Sequence, residues 1–238
     1  MNNQLKIQIW SDVMCPFCYI GKRKLEEALQ QFENKDAVTI EWKSFQLDPR
    51  AKYQPEDNTF DYLAKKYGRD RNWSVAMHES VTQQAKAVGL DYHFEKLILA
   101  NSLNAHRLSH LAKKYHLGDT FEESLFKAHF TEGLDIDDKP TLTRLALGVG
   151  LKLEEIESVL NSDAYINEVE QEMNEAQSLG ANGVPFFVFD DKYAVSGAQS
   201  PEVFLQTLQK TWEEGSFDAT LDFQNSTGEN SCHIEGCE

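Results

Sequence analysis

Ser11-Asp12-Val13-Met14-Cys15-Pro16-Phe17-Cys18-Tyr19-Ile20-Gly21 is the stretch that decides how this chain is read. Upstream, Leu5 to Trp10 alternates apolar and polar residues as a strand does. Downstream, Leu25, Ala28, Leu29 and Phe32 recur at helical spacing. The two cysteines therefore fall at the first turn of a helix leaving a strand. Unpaired amides and the positive end of the helix dipole favour a thiolate on the leading cysteine of such a pair. Proline just inside the helix costs no hydrogen bond and holds the turn open. C-x-x-C also serves as half a zinc site, and a small buried cysteine pair is sometimes only structural. The strand-to-helix junction favours a redox dithiol over both without closing either.

The chain has 238 residues, room for one large domain or a domain carrying a big insertion. Hydrophobic residues make up 41%, with no apolar run near the ~18 residues that mark a membrane span. The first ten residues carry no charged lead, apolar stretch and small-residue cleavage site in sequence, so the expected compartment is the cytoplasm. In that compartment, four cysteines in two close pairs point to catalysis or metal binding rather than structural stapling. Lys and Arg number 23 against 39 Asp and Glu, a formal charge of −16. Nucleic acid and anionic membrane surfaces are repelled by that balance and are not expected partners. Residues 213–238 hold seven acids and no Lys or Arg, which reads as an acidic, solvated tail.

After the first helix, Ala37 to Phe45 alternates strictly and predicts a half-buried strand, completing a right-handed parallel β-α-β unit. A polar, turn-rich stretch from Leu47 to Asp57 follows. Helical periodicity then runs from Thr59 to Leu179, with helices expected over Phe60–Tyr67, Val75–Val88, Leu97–Tyr115, Phe121–Phe130 and Leu142–Val149, then in the Leu153 and Ala164 segments. Val184 to Phe189 is a continuous apolar run suited to a buried strand, Asp190-Asp191-Lys192 a tight turn, and Tyr193-Ala194-Val195 the return strand. Ser200-Pro201-Glu202 opens the last helix, with Phe204, Leu205, Leu208 and Trp212 on its buried face. The predicted fold is α/β: a thioredoxin-like core, residues 1–48 and 181–214, split by an α-helical insertion at 49–180 and followed by an extension at 215–238.

Gly183-Val184-Pro185 starts a buried strand, where proline sits only at a first position or a bend. With C-x-x-C at the other strand-helix junction, a cis Val184-Pro185 bond is expected, leaving neighbouring backbone groups facing the thiols. Val184 would then hydrogen-bond an extended substrate chain by strand addition. Trp10 to Val13 with Cys15-Pro16-Phe17-Cys18, the run from Leu125 to Gly133, Gly183-Val184-Pro185 and Val195-Ser196-Gly197-Ala198-Gln199 together resemble the DsbA family, in its FrnE-like subgroup. The resemblance covers roughly residues 5 to 212. It implies a DsbA-like fold and thiol–disulfide oxidoreductase or isomerase activity on protein or small-molecule disulfides. Cys15 takes the position of the exposed nucleophilic cysteine, Cys18 of the resolving cysteine and Pro185 of the cis-proline, with Pro16, Phe17 and Val184 beside the substrate. No resident cofactor is implied, redox equivalents coming from glutathione or a thioredoxin-type system. The strongly oxidising periplasmic members carry histidine where this chain has Phe17, which predicts a less oxidising couple here.

Cys232 and Cys237 form C-x₄-C at the chain end, within extended reach of Cys15 and Cys18. A second redox pair exchanging electrons with the first, a zinc site with His233, and incidental thiols all fit that pattern. Among rival functions, a glutathione-dependent transferase or isomerase of the kappa type shares the split fold but generally lacks the cysteine pair. A thiol-independent chaperone or zinc-binding module is the alternative outside enzymes. His106 and His110, four apart on one helix, are read as packing or surface residues, and Asp12 as either a proton acceptor for Cys18 or a turn residue. His129 and Glu132 are candidate cleft residues.

Overall fold

In the computed structural model, residues 4–50, 53 and 58–215 are described in full, and beyond them the backbone of 222–224, 232–233 and 236–237. Two compact units are present, one from Met1–Phe45 with Glu172–Glu238, the other from Gln46–Gln171. The sequence reading draws these limits at 48/49 and 180/181.

The first unit is built on strand β1 (Leu5–Ser11), helix α1 (Pro16–Gln31) and strand β2 (Val38–Ser44). Strands β1 and β2 pair in parallel from Leu5↔Val38 to Ser11↔Ser44, so the two strands of the predicted β-α-β unit pair along their whole length, with the second starting at Val38 and ending at Ser44. Ile7, Ile9 and Trp10 are fully buried. Trp10 is fixed further by its indole N–H donating to the Glu172 carbonyl at 2.8 Å. Strand β1 also pairs with a later strand on its other side, and its burial does not alternate, as in a central strand whose two faces are both covered.

The apolar run predicted as one strand is two. β3 (Gly183–Val184) and β4 (Phe186–Phe189) are separated by Pro185, which has no N–H to continue a ladder, and the Val184-Pro185 bond is cis. β4 lies antiparallel to β1 and to β5 (Tyr193–Ser196). The intervening turn places Asp190 and Asp191 at φ 48° and 54°, the doubly left-handed geometry that matches hairpin twist. Helix α9 (Pro201–Glu214) packs its Phe204 ring edge-on to Phe187 at 4.7 Å. Part of the segment read as an acidic, solvated tail also pairs with the sheet, while the side chains of residues 216–238 lie outside the described residues. Asp222–Gln224 pairs in parallel with β5, and the sheet order becomes β2-β1-β4-β5-β6, with β6 being this last strand.

The second unit is helical, as expected, with shifted boundaries. Its helices are α2 (Thr59–Lys66), α3 (Arg71–Ala87), α4 (Leu103–Lys114), α5 (Gly118–Phe126), α6 (Lys139–Gly148) and α7 (Leu153–Leu160), while α8 (Ile166–Ser178) spans the limit with the first unit. The helix predicted from Leu97 begins only at Leu103, because the Asn101 side chain accepts the Leu103 N–H at 3.0 Å and sets the first turn there. The predicted Phe121–Phe130 helix changes register at Lys127. Lys127–Thr131 is a π turn, with Glu132 N–H donating to the Lys127 carbonyl.

Asp138 caps α6 by accepting the Thr141 N–H at 2.8 Å. Asp138→Ala is expected to destabilise the protein by about 1 kcal/mol, as loss of such a cap does. A thermal melt should show a drop of about 2–4 °C for a chain of this size.

Candidate active site

The site grows from the end of β1. Asp12 to Met14 turn the chain into α1: the Asp12 carboxylate accepts the Met14 N–H at 3.2 Å, and the Asp12 carbonyl accepts the Cys15 N–H at 2.9 Å. This gives Asp12, 1% exposed, a defined turn role. Cys15 is the N-cap residue of α1 in extended conformation, Pro16 stands at the first helical position, and Cys18 completes the first turn. The predicted junction of strand, dithiol and helix is present.

The opposing wall comes from the chain's second half. The Cys15 thiol donates to the Val184 carbonyl at 3.4 Å, across 169 residues of sequence. Cys15, Cys18, Val184 and Pro185 therefore converge. Two placements differ from expectation. The resemblance makes Cys15 exposed, but it is buried, as is Val184, whose carbonyl its sulfur meets. Phe17, expected beside the substrate, is buried at 3% exposure within the first turn of α1, whereas Pro16 is partly accessible.

Burial dominates the electrostatics of Cys18. It pushes the thiol well above its ordinary value, and the hydrogen bond and negative charge of Cys15 push it further. Ser11 and the Asp12 backbone pull the other way by favouring the Cys18 thiolate. The Ser11 side chain is buried beside it. The native state thus holds the Cys18 proton more tightly than the unfolded chain does. Stability linked to Cys18 is complete below the unfolded thiol's value and declines as pH rises above it. The reduced protein should lose thermal stability above about pH 8.5–9, and Cys18→Ala should flatten that slope relative to the parent. Parallel melts from pH 7 to 10 measure this.

Several contacts that hold the site are not visible in the sequence. The Gly197 N–H donates to the Pro185 carbonyl at 2.8 Å, and Gly197 adopts φ 78°, where other residues are strained. The Lys24 ammonium donates to the Ala198 carbonyl at 2.8 Å, and burial lowers its pKa. The Val195–Gln199 motif is therefore a latch on the Pro185 loop. Gly21 lies where a Cβ would meet Pro185 Cγ and Phe187 Cζ, both at 3.1 Å. Its only signal in sequence was a glycine inside a helix.

Other candidates are placed elsewhere. His129 is buried on the π turn of the helical unit, packed edge-on to Phe130, and Glu132 pairs with Lys127 at 3.3 Å. His106 is buried in α4, and His110 stacks on Tyr165 at 5.7 Å. Among the described residues no cluster of three or more His, Cys, Asp or Glu is arranged to hold a metal ion. No helix among them is long and apolar enough to cross a membrane. The side chains of Cys232, His233 and Cys237 lie outside the described residues. Their backbone forms β7 (Cys232–His233) and β8 (Gly236–Cys237), with Cys232 opposite Cys237 and, across the next ladder, Val184 opposite Cys232.

A thioredoxin-type sheet with a dithiol at the head of its first helix, facing a cis-proline, defines a thiol–disulfide oxidoreductase class of protein. Residues 6–209 match the model of the DSBA-like thioredoxin domain, and the chain belongs to that family. An uncharacterised Bacillus subtilis protein, YwbO, is 30% identical over 204 residues, 85% of this chain and 94% of that one. The crystal structure of a probable DsbA oxidoreductase from Streptomyces coelicolor is similar at TM-score 0.85 and 35% identity, covering 96% of this chain and 99% of that one. The cytosolic disulfide reductase DsbM of Pseudomonas aeruginosa shares the fold at TM-score 0.57 and 14% identity, over 86% and 97% of the two chains.

Proposed function

We propose that this chain is a FrnE-like, cytoplasmic disulfide reductase or isomerase working through Cys15 and Cys18. The observation that carries this reading is the Cys15 sulfur at 3.4 Å from the Val184 carbonyl, which joins the dithiol to the cis-proline edge. Cys15, as thiolate, attacks one sulfur of a client disulfide. A Cys15–client bond forms, the client S–S bond breaks, and the second client sulfur leaves as a thiolate. Cys18 then loses its proton and attacks the Cys15 sulfur. The Cys15–Cys18 bond forms and the client departs with both sulfurs reduced, two electrons having passed from the dithiol. In isomerisation the displaced client thiolate instead opens a second disulfide of the client, and the thiolate freed there attacks the client sulfur held on Cys15, so that a new client disulfide forms and Cys15 leaves unchanged.

The high affinity of Cys18 for its proton suits this order. While Cys15 is the attacking thiolate, its charge and burial keep Cys18 protonated. Once Cys15 is in a mixed disulfide that charge is gone, and Ser11 and the Asp12 backbone remain to favour the Cys18 thiolate. The absence of histidine at Phe17 supports a couple that is less oxidising than that of the periplasmic enzymes. Glutathione, or a thioredoxin-type dithiol, would restore the reduced state. Cys232 and Cys237 act in this reading as a second pair in exchange with the first, a role supported by the Val184↔Cys232 register.

Thiol trapping across a graded series of reduced and oxidised glutathione tests the reading. Cys15 and Cys18 should titrate together as a two-electron couple at a potential below that of strongly oxidising DsbA, about −120 mV. Independent one-thiol behaviour of Cys15 and Cys18 would overturn it.

A further inference from the structure

The edge on which a client strand would add is already paired. Gly183 and Val184 form an antiparallel ladder with His233 and Cys232 of β7, and β8 folds back on β7 to give a three-stranded sheet in the order β3-β7-β8. Val184 is also the residue whose carbonyl receives the Cys15 thiol, and both residues have 0% exposure. The tail is led towards this place from a fixed point: β6 pairs in parallel with β5, and seven residues, 225–231, join it to β7. A connection that short gives an intramolecular strand an effective concentration of order millimolar.

We infer that β7 is a built-in placeholder for the client strand, which shields Cys15 until an extended, disulfide-bearing polypeptide displaces it. This rests on the oxidoreductase reading and adds its regulation and its client class. Strand addition uses main-chain hydrogen bonds, so one backbone segment can replace another on the same edge with little regard to side chains. The competition selects for clients that offer extended backbone on both sides of the disulfide. A client's apparent affinity is reduced by the fraction of molecules whose edge is open.

The test compares two full-length variants that both lack the tail thiols, so that any electron exchange through them is removed from the comparison. Cys232→Ser with Cys237→Ser keeps a backbone able to pair. Cys232→Pro, His233→Pro and Cys237→Ser together remove both N–H groups of β7 and prevent its pairing. Three quantities are read: binding of an extended peptide whose cysteines are replaced by serine, turnover of the same peptide carrying its disulfide, and the rate of Cys15 alkylation by iodoacetamide. If β7 covers the edge nine-tenths of the time, the proline variant should bind the peptide about tenfold more tightly. Its Cys15 should be alkylated faster by a similar factor, and its KM for the disulfide peptide should be lower. Equal binding and equal alkylation in the two variants, with turnover intact in both, would overturn the placeholder and leave the oxidoreductase standing. Loss of peptide turnover in the parent and in both variants would instead remove the activity on which the inference rests.

Discussion

Cys15→Ser is expected to bring disulfide reduction down to the uncatalysed rate of exchange between the client and the thiol reductant, with the fold unchanged. A serine hydroxyl is smaller than the thiol and polar like it, so it fits the place 3.4 Å from the Val184 carbonyl that the sulfur fills without disturbing the packing around it. It cannot form the mixed disulfide through which both electrons must pass. Burial argues against a rescue by neighbours: Cys18 is 1% exposed and carries a thiol pushed well above its ordinary value by that burial. Initial rates with a peptide disulfide and a thiol reductant, set beside circular dichroism of the variant, separate loss of chemistry from loss of fold. A variant retaining the parent's turnover would refute the assignment of Cys15.

Gly21→Val carries the second large effect, on stability and activity together. A β-carbon at Gly21 meets the Pro185 and Phe187 rings at 3.1 Å and Ala198 Cβ at 3.6 Å. Ordinary contact lies beyond 3.4 Å, so those groups must give way. They have little room: the Gly197 N–H holds the Pro185 carbonyl at 2.8 Å, and Phe187 is fully buried against Phe204. Overpacking of this kind costs about 1–3 kcal/mol. A chain this long should lose about 2–4 °C in melting temperature per kcal/mol. Peptide reduction should also slow, because the strain falls between α1 and the loop that carries Val184. Gly21→Ala adds a single carbon and gains about 0.8–1.0 kcal/mol of helix propensity, so it should melt close to the parent. A Val variant as stable and active as the parent would show that α1 and the Pro185 loop do not depend on close contact.

Local rules were enough to read the first unit's frame. Alternation in Leu5–Trp10 and Ala37–Phe45 located two strands whose register is complete, and the Asp-Asp-Lys turn was visible because three polar residues interrupt two apolar runs. What failed was wherever a tertiary contact overrules periodicity. Leu97 to Tyr115 has a continuous apolar stripe, yet the Asn101 side chain starts the helix at Leu103. The Val184–Phe189 run is uniformly apolar, so nothing in its pattern shows that Pro185 sends β3 to a different sheet from β4.

The candidate site divides in the same way. Cys15, Cys18 and Pro185 announced themselves by residue type and spacing. Gly21 and Lys24 did not, since each acts through a packing or backbone contact more than 160 residues away in sequence, and Gly197, though part of the Val195–Gln199 motif, gave no sign of its N–H to the Pro185 carbonyl. The burial of Cys15 was likewise illegible. The residue its sulfur meets, Val184, lies 169 positions away in sequence, and the acidic composition of the last 26 residues gave no sign of the short strands that pair there.

Mass spectrometry of Cys18→Ala after incubation with a disulfide-bonded peptide tests the central claim most directly. Without the resolving thiol, the account predicts that the protein accumulates as a one-to-one mixed disulfide, with the peptide attached at Cys15. A protein that remains unmodified, or carries the peptide on another cysteine while Cys15 stays free, would contradict it.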